Sequence, residues 1–174
     1  MQNTSEIIIS RLRVQDAVIY RELMLQAYAT HPDAFTSSVE ERAALPLSWW
    51  EQCLATGEAA EVVFGAWLDA RLLGVAGLAF SQRAKTRHKA DVFGMYVSPE
   101  ARGLGLGKLL LQALEHAARA RGVQVLQLTV TDGNAQAQAL YRACGFIPFG
   151  LEPMAVRVGQ GFVAKEYLWR RLQA

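Results

Sequence analysis

The chain has 174 residues, of which 52% are hydrophobic and 20% charged, and its formal net charge is +2. That composition excludes a disordered chain and predicts one globular domain over residues 1–174 with a core of its own. A charge so close to zero argues against a nucleic-acid partner. No apolar run approaches the roughly 20 residues of a membrane helix, and the segment 1–10 lacks the basic and apolar regions of a secretion signal, so a cytoplasmic protein without a membrane partner is expected. Cys53 and Cys144 make neither a metal-ligand spacing nor a disulfide framework and read as small core residues.

Ile7, Ile9 and Leu12 lie in a first strand. Asp16 is placed to cap a helix whose Ile19, Leu23 and Ala27 share one face, and His31-Pro32 ends it. Ser38 and Glu41 have the spacing of a reciprocal cap and open a second helical region, which Pro46 interrupts and Leu47, Trp50 and Leu54 continue to Gly57. Segments 62–68 and 72–81 read as strands joined by a tight turn at Asp69-Ala70-Arg71. Arg83, Lys85, Arg87, His88 and Lys89 form a basic connector, either a solvated hairpin or an attractor for an anionic ligand. Segment 91–98 is a further strand, stopped by Pro99.

Leu106, Leu109, Leu110, Ala113, Leu114, Ala117 and Ala118 then follow an unbroken helical spacing up to Gly122. A strand over 123–130, a turn at Asp132-Gly133-Asn134, a helix carrying Ala137, Leu140, Tyr141 and Cys144, and strands over 146–149 and 162–169 complete the chain. This order predicts a mixed α/β sheet with its ligand site at the strand ends.

The segment Arg102-Gly103-Leu104-Gly105-Leu106-Gly107-Lys108 joins a strand to a helix. Such a turn presents unpaired backbone N–H groups at the positive end of a helix dipole, where phosphates bind. The dinucleotide fingerprint fails because Lys108 stands where its third glycine belongs. The P-loop fails at Arg102 and at Leu109.

The run from Arg102 to Gly107 resembles the R/Q-x-x-G-x-G/A signature of the GNAT acetyltransferases. Met95-Tyr96-Val97-Ser98-Pro99-Glu100 resembles the strand that leads into it, and Asn134 with Leu140-Tyr141-Arg142-Ala143-Cys144-Gly145-Phe146 resembles that family's "N…LYxxxGF" block. The resemblance implies a mostly antiparallel sheet of about seven strands flanked by about four helices, with strands 4 and 5 splayed apart. It further implies that acetyl-CoA lies in that split, its pantetheine arm against Met95, Tyr96 and Val97 and its pyrophosphate on Arg102, Gly103, Leu104, Gly105, Leu106, Gly107 and Lys108. Asn134 would bond the pantetheine region or cap its helix. No metal is implied.

The activity implied is direct transfer of acetyl to a primary amine of a small molecule, a protein N-terminus or a lysine. The alternative is a non-catalytic acyl-CoA-binding module. Tyr141 matches the tyrosine that protonates the departing thiolate. Asp91 stands where protein-lysine-acetylating relatives carry a glutamate base, and alternation puts it on one face with Phe93, Met95 and Val97. Glu40, Glu41, His88 and an ordered water are other candidates for the base. Trp49-Trp50 would either line the acceptor cleft or pack in the core. Relatives are often dimers, so a homodimer is expected, with Tyr167 and Trp169 near its interface.

Overall fold

The protein was analysed as a computed structural model that describes residues 6–55 and 60–172. Runs rich in Val, Leu and aromatic residues form strands β1 (Ile7–Arg11), β2 (Glu61–Leu68), β3 (Arg71–Phe80), β4 (Lys89–Val97), β5 (Val125–Thr131), β6 (Ile147–Val158) and β7 (Gly161–Arg171). They make one sheet of order β1-β2-β3-β4-β5-β7-β6, in which every neighbouring pair is antiparallel except β4 and β5.

Five α-helices occur among the described residues: α1 (Ala17–Thr30), α2 (Val39–Ala43), α3 (Leu47–Cys53), α4 (Leu106–Ala120) and α5 (Ala135–Ala143). The count exceeds four because Pro46, extended at ψ 158°, divides the second helical region into two helices. The reciprocal cap of Ser38 and Glu41 forms, with bonds of 2.8 and 3.2 Å. The expected helix end at Gly57 lies outside the described residues. Asp16 does not cap α1 through its side chain; its carboxylate accepts the Arg13 N–H at 2.8 Å and closes a turn just before the helix.

Helices cover both faces of the sheet. On one face Tyr20, Leu23, Met24 and Ala27 of α1 meet Trp50 of α3 and Val63, Val75 and Tyr96 of the sheet. On the other, Leu106, Leu110, Leu111, Leu114 and Ala118 of α4 pack on Ala76, Leu78, Val92, Leu126 and Leu168. The apolar stripe of α4 is rotated slightly from the expected one: Leu111 is buried, while Leu109, Ala113 and Ala117 are half-buried. Trp49-Trp50 is a packing pair. Trp50 is 1% exposed and meets Tyr20 and Trp49 edge-on at 5.6 and 5.1 Å, and the Arg42 guanidinium lies 4.7 Å from the Trp49 ring.

β6 runs nine residues past its expected end at Phe149, to Val158. It is an edge strand and mostly exposed, so it carries no in-out alternation to read, and an edge tolerates its Pro148 and Pro153.

The β2–β3 turn has two residues rather than three, since Leu68 pairs with Arg71. Asp69 and Ala70 take φ of 49° and 62°, the left-handed pair of a type I′ turn. A side chain costs about 1–2 kcal/mol in that region. Ala70→Gly removes the cost but loosens the unfolded chain, for an expected net gain of about 0.5–1 kcal/mol. The check is a higher urea midpoint at unchanged m; a lower midpoint would contradict the turn assignment.

Candidate active site

β4 and β5 pair over only three rungs, Lys89 with Val125, Ala90 with Leu126 and Asp91 with Gln127. Beyond them, residues 92–97 and 128–131 diverge. A β-bulge in β4 accompanies the opening: Gly94 and Met95 together oppose Ala76, and Gly94 sits at φ 60°, a region open to glycine. The bulge corrects the expected alternation. Phe93 and Tyr96 pack with the α1 core, whereas Met95 and Val97 pack with the α4 core. Asp91 therefore shares a face with Phe93 and Tyr96, not with Met95 and Val97.

The divergent strands open a cleft of about 910 Å³. At one end lies the glycine turn. Gly103 and Gly105 have φ of 81° and 78°, and Gly105 caps α4 without any side-chain hydrogen bond, so the first-turn N–H groups of α4 face an open end. Gly107 lies so close to α5 that a Cβ there would come within 2.8 Å of Leu140 Cδ2. α5 is held in turn by Glu166 of β7, which accepts from Gln138 at 3.0 Å and from Arg142 at 3.0 and 3.2 Å.

These contacts fix Tyr141 in the cleft wall. Its ring packs edge-on to Phe146 at 5.9 Å, and burial pushes its phenol well above the ordinary value of 10.0, so the hydroxyl stays protonated. Among the described residues its hydroxyl has no hydrogen-bond partner. Asn134 begins α5, with its side-chain oxygen accepting the Ala137 N–H at 3.2 Å, so its capping role is real.

Met95, Tyr96, Val97, Arg102, Gly103, Gly105, Leu106, Gly107, Lys108, Asn134 and Tyr141 all line this cleft. Leu104 is 47% exposed and points away from the lining, though its backbone belongs to the turn. Asp91 is also outside the lining. It stands on the last paired rung, exposed as a residue, with its carboxyl raised by partial desolvation against the opposing Lys89 charge. Glu40, Glu41, His88 and the basic connector from Arg83 to Lys89 do not line the cleft either.

Several lining residues escaped the sequence reading. His31, Asp33, Ala34, Phe35 and Thr36 come from the connection after α1, and Thr129, Thr131 and Lys165 from the sheet. The connection is tied down at both ends. Arg102 Nη2 donates to His31 Nε2 at 3.1 Å, which leaves the imidazole proton on Nδ1, since a guanidinium can only donate. Thr131 Oγ1 donates to the Asp33 carbonyl at 2.7 Å, and Lys165 Nζ donates to the Ala34 carbonyl at 3.1 Å and to Thr131 Oγ1 at 2.9 Å. No local pattern marked Lys165, which the sequence places within an ordinary strand.

A profile of the Acetyltransferase (GNAT) family matches residues 20–146. The chain belongs to the GNAT acetyltransferase family. An L-methionine sulfoximine/L-methionine sulfone acetyltransferase of Pseudomonas aeruginosa is 44% identical over 68 residues, 39% of this chain and 38% of that protein. A mycothiol acetyltransferase of Beutenbergia cavernae is 30% identical over 132 residues, 72% of this chain and 39% of that protein. The chain thus spans about four-tenths of the length of these curated relatives. The protein yncA of Salmonella typhimurium, solved with its cofactor acetyl-CoA, superposes with a TM-score of 0.80 over 98% of this chain and 96% of its own. At 20% identity that likeness establishes a shared GNAT fold.

The glycine turn is testable apart from any ligand. Nothing lies within 4 Å of a Cβ built on Gly105, so a substitution there acts through its φ of 78° alone. Gly105→Ala is expected to cost about 1–2 kcal/mol, read from chemical denaturation. An unchanged midpoint would mean that the left-handed cap is not required.

Proposed function

We propose that the protein is an N-acetyltransferase that moves the acetyl group of acetyl-CoA directly onto a primary amine of a small molecule. One observation carries this reading: a single cleft gathers an open helix N-terminus, two unpaired strand edges and the protonated phenol of Tyr141. The N–H groups of Arg102 to Lys108 would hold the pyrophosphate, with the Arg102 and Lys108 side chains adding charge. The pantetheine arm would lie along Met95, Tyr96 and Val97 as an added strand, with Asn134 nearby. The acetyl-CoA of the yncA structure supports the choice of donor. The small-molecule relatives, and a cleft roofed by the tied-down connection of residues 31–36, support the acceptor class.

In this scheme the neutral amine attacks the thioester carbonyl, and a new C–N bond forms. A backbone N–H near Tyr96 or Val97 steadies the oxyanion. Collapse breaks the C–S bond while Tyr141 passes its proton to the leaving sulfur, and the phenolate then regains a proton from solvent. The amine proton departs through water, for which Asp91 at the foot of the split is the terminal acceptor; its raised carboxyl suits that role. The residues 1–174 would act as one domain, in the cytoplasm, with no metal.

Tyr141→Phe keeps the ring packing and removes only the donor. A general acid contributes about 10²–10⁴-fold, and a thiol is a good leaving group, so a loss near 10²-fold is expected in kcat, with acetyl-CoA affinity nearly unchanged. Stopped-flow detection of thiol release checks this. A kcat equal to wild type, under conditions where chemistry limits turnover, would leave Tyr141 a packing residue.

We also propose a homodimer. The β6 edge exposes Ile147, Phe149, Leu151 and Met154 at 53–64%, an unprotected apolar edge that invites pairing with a second copy. Light scattering should give twice the 19.2 kDa chain mass; the monomer mass at micromolar concentration would overturn it.

A further inference from the structure

Lys165 is the one charged residue among the described residues that is buried; only 5% of it is exposed, and yet it forms part of the cleft wall. It enters no ion pair among the described residues. Its Nζ has two oxygen partners, the Ala34 carbonyl and Thr131 Oγ1. Thr131 Oγ1 spends its own proton on the Asp33 carbonyl, so it can only accept from Lys165. An ammonium has three donors, and both of these partners are neutral. One donor is left without a match, and neither hydrogen-bond partner carries a compensating charge.

A buried cation of this kind is costly unless an anion meets it, and here the open side is the cleft. Desolvation indeed works against its charge, and Asp33, close enough to act through space but not paired, only partly offsets that. The position also fits an acceptor. Lys165 is paired with Thr131 at the free end of β5, where that strand has left β4, and it lies under the Asp33–Ala34 connection. The pyrophosphate turn has its own cations, Arg102 and Lys108.

We propose that Lys165 is the anion anchor of the acceptor site, holding through Nζ a carboxylate or similar oxyanion carried by the amine, so that the preferred acceptors are small amino acids. The proposal rests on the transferase reading above and narrows its acceptor class. Arg and Lys at this point would both keep the charge; a methionine would keep the apolar stem and lose it.

The test compares L-α-amino acids with the matching α-carboxamides, which retain the amine and lose the anion. Binding to CoA-saturated protein is measured by calorimetry and acetyl transfer by thiol release, in wild type, Lys165→Met and Lys165→Arg. Wild type is expected to favour acids over amides by about 10- to 100-fold, the range of a charge-assisted bond. Lys165→Met should abolish that preference, costing the acid about tenfold or more beyond whatever the lost tie to Ala34 costs acid and amide alike, and Lys165→Arg should restore most of it. An equal loss on acids and amides would make Lys165 a brace or a base and overturn the proposal. So would a wild type indifferent to the carboxylate, or a collapse of acetyl-CoA affinity in Lys165→Met. Acid-selective binding through Lys165 without turnover of any amine would sustain the anchor and defeat the transferase reading.

Discussion

A parallel ladder that stops after three rungs is the constraint on which the rest of this molecule depends. If β4 and β5 had stayed paired past Asp91 and Gln127, the sheet would be continuous and the cleft absent. Their separation leaves backbone N–H and C=O groups on both inner edges, which an unliganded sheet would otherwise satisfy with a neighbouring strand. The bulge at Gly94 and Met95 is matched to this opening. It turns Tyr96 toward the α1 core and Met95 and Val97 toward the α4 core, so both helical layers meet at the split. Within the wall so formed the Tyr96 hydroxyl is buried without a partner, the kind of orphan that occurs where a site is shaped for something other than its own packing.

The second half of the chain builds the cleft floor and the first half roofs it. α4 begins behind the left-handed Gly103 and Gly105, and α5 is fastened to β7 by Glu166 and pressed against Gly107 through Leu140. The connection after α1 then reaches across, held by His31 to Arg102 and by Asp33 and Ala34 to Thr131 and Lys165. The separations of 71, 98 and 131 residues in these contacts explain why no local pattern announces them.

Much of the fold was legible in the sequence because it rests on local rules. The α4 stripe, the stop at Gly122, the Ser38–Glu41 cap and the glycine turn each follow from residues within a few positions of one another. The expected side-chain alternation in β4 failed because a bulge resets it, and only Gly94 hinted at one. β6 was cut short because an exposed edge strand has no buried face to reveal its period. Asp91 reads as a cleft carboxylate by position along its strand, but the split begins one residue after it. Of the site, the turn, the β4 edge, Asn134 and Tyr141 could be read from the motif. Lys165 could not, because its significance is burial, which depends on a loop closing over it.

In the proposed function, the split between β4 and β5 and the α4 N-terminus together seat an acyl-CoA. Amide hydrogen exchange with and without acetyl-CoA addresses it segment by segment. Slower exchange on adding acetyl-CoA is expected at residues 95–97 and 103–108, with β1 and β2 unaffected. Protection that appears elsewhere, or none in either segment at saturating acetyl-CoA, would contradict the account.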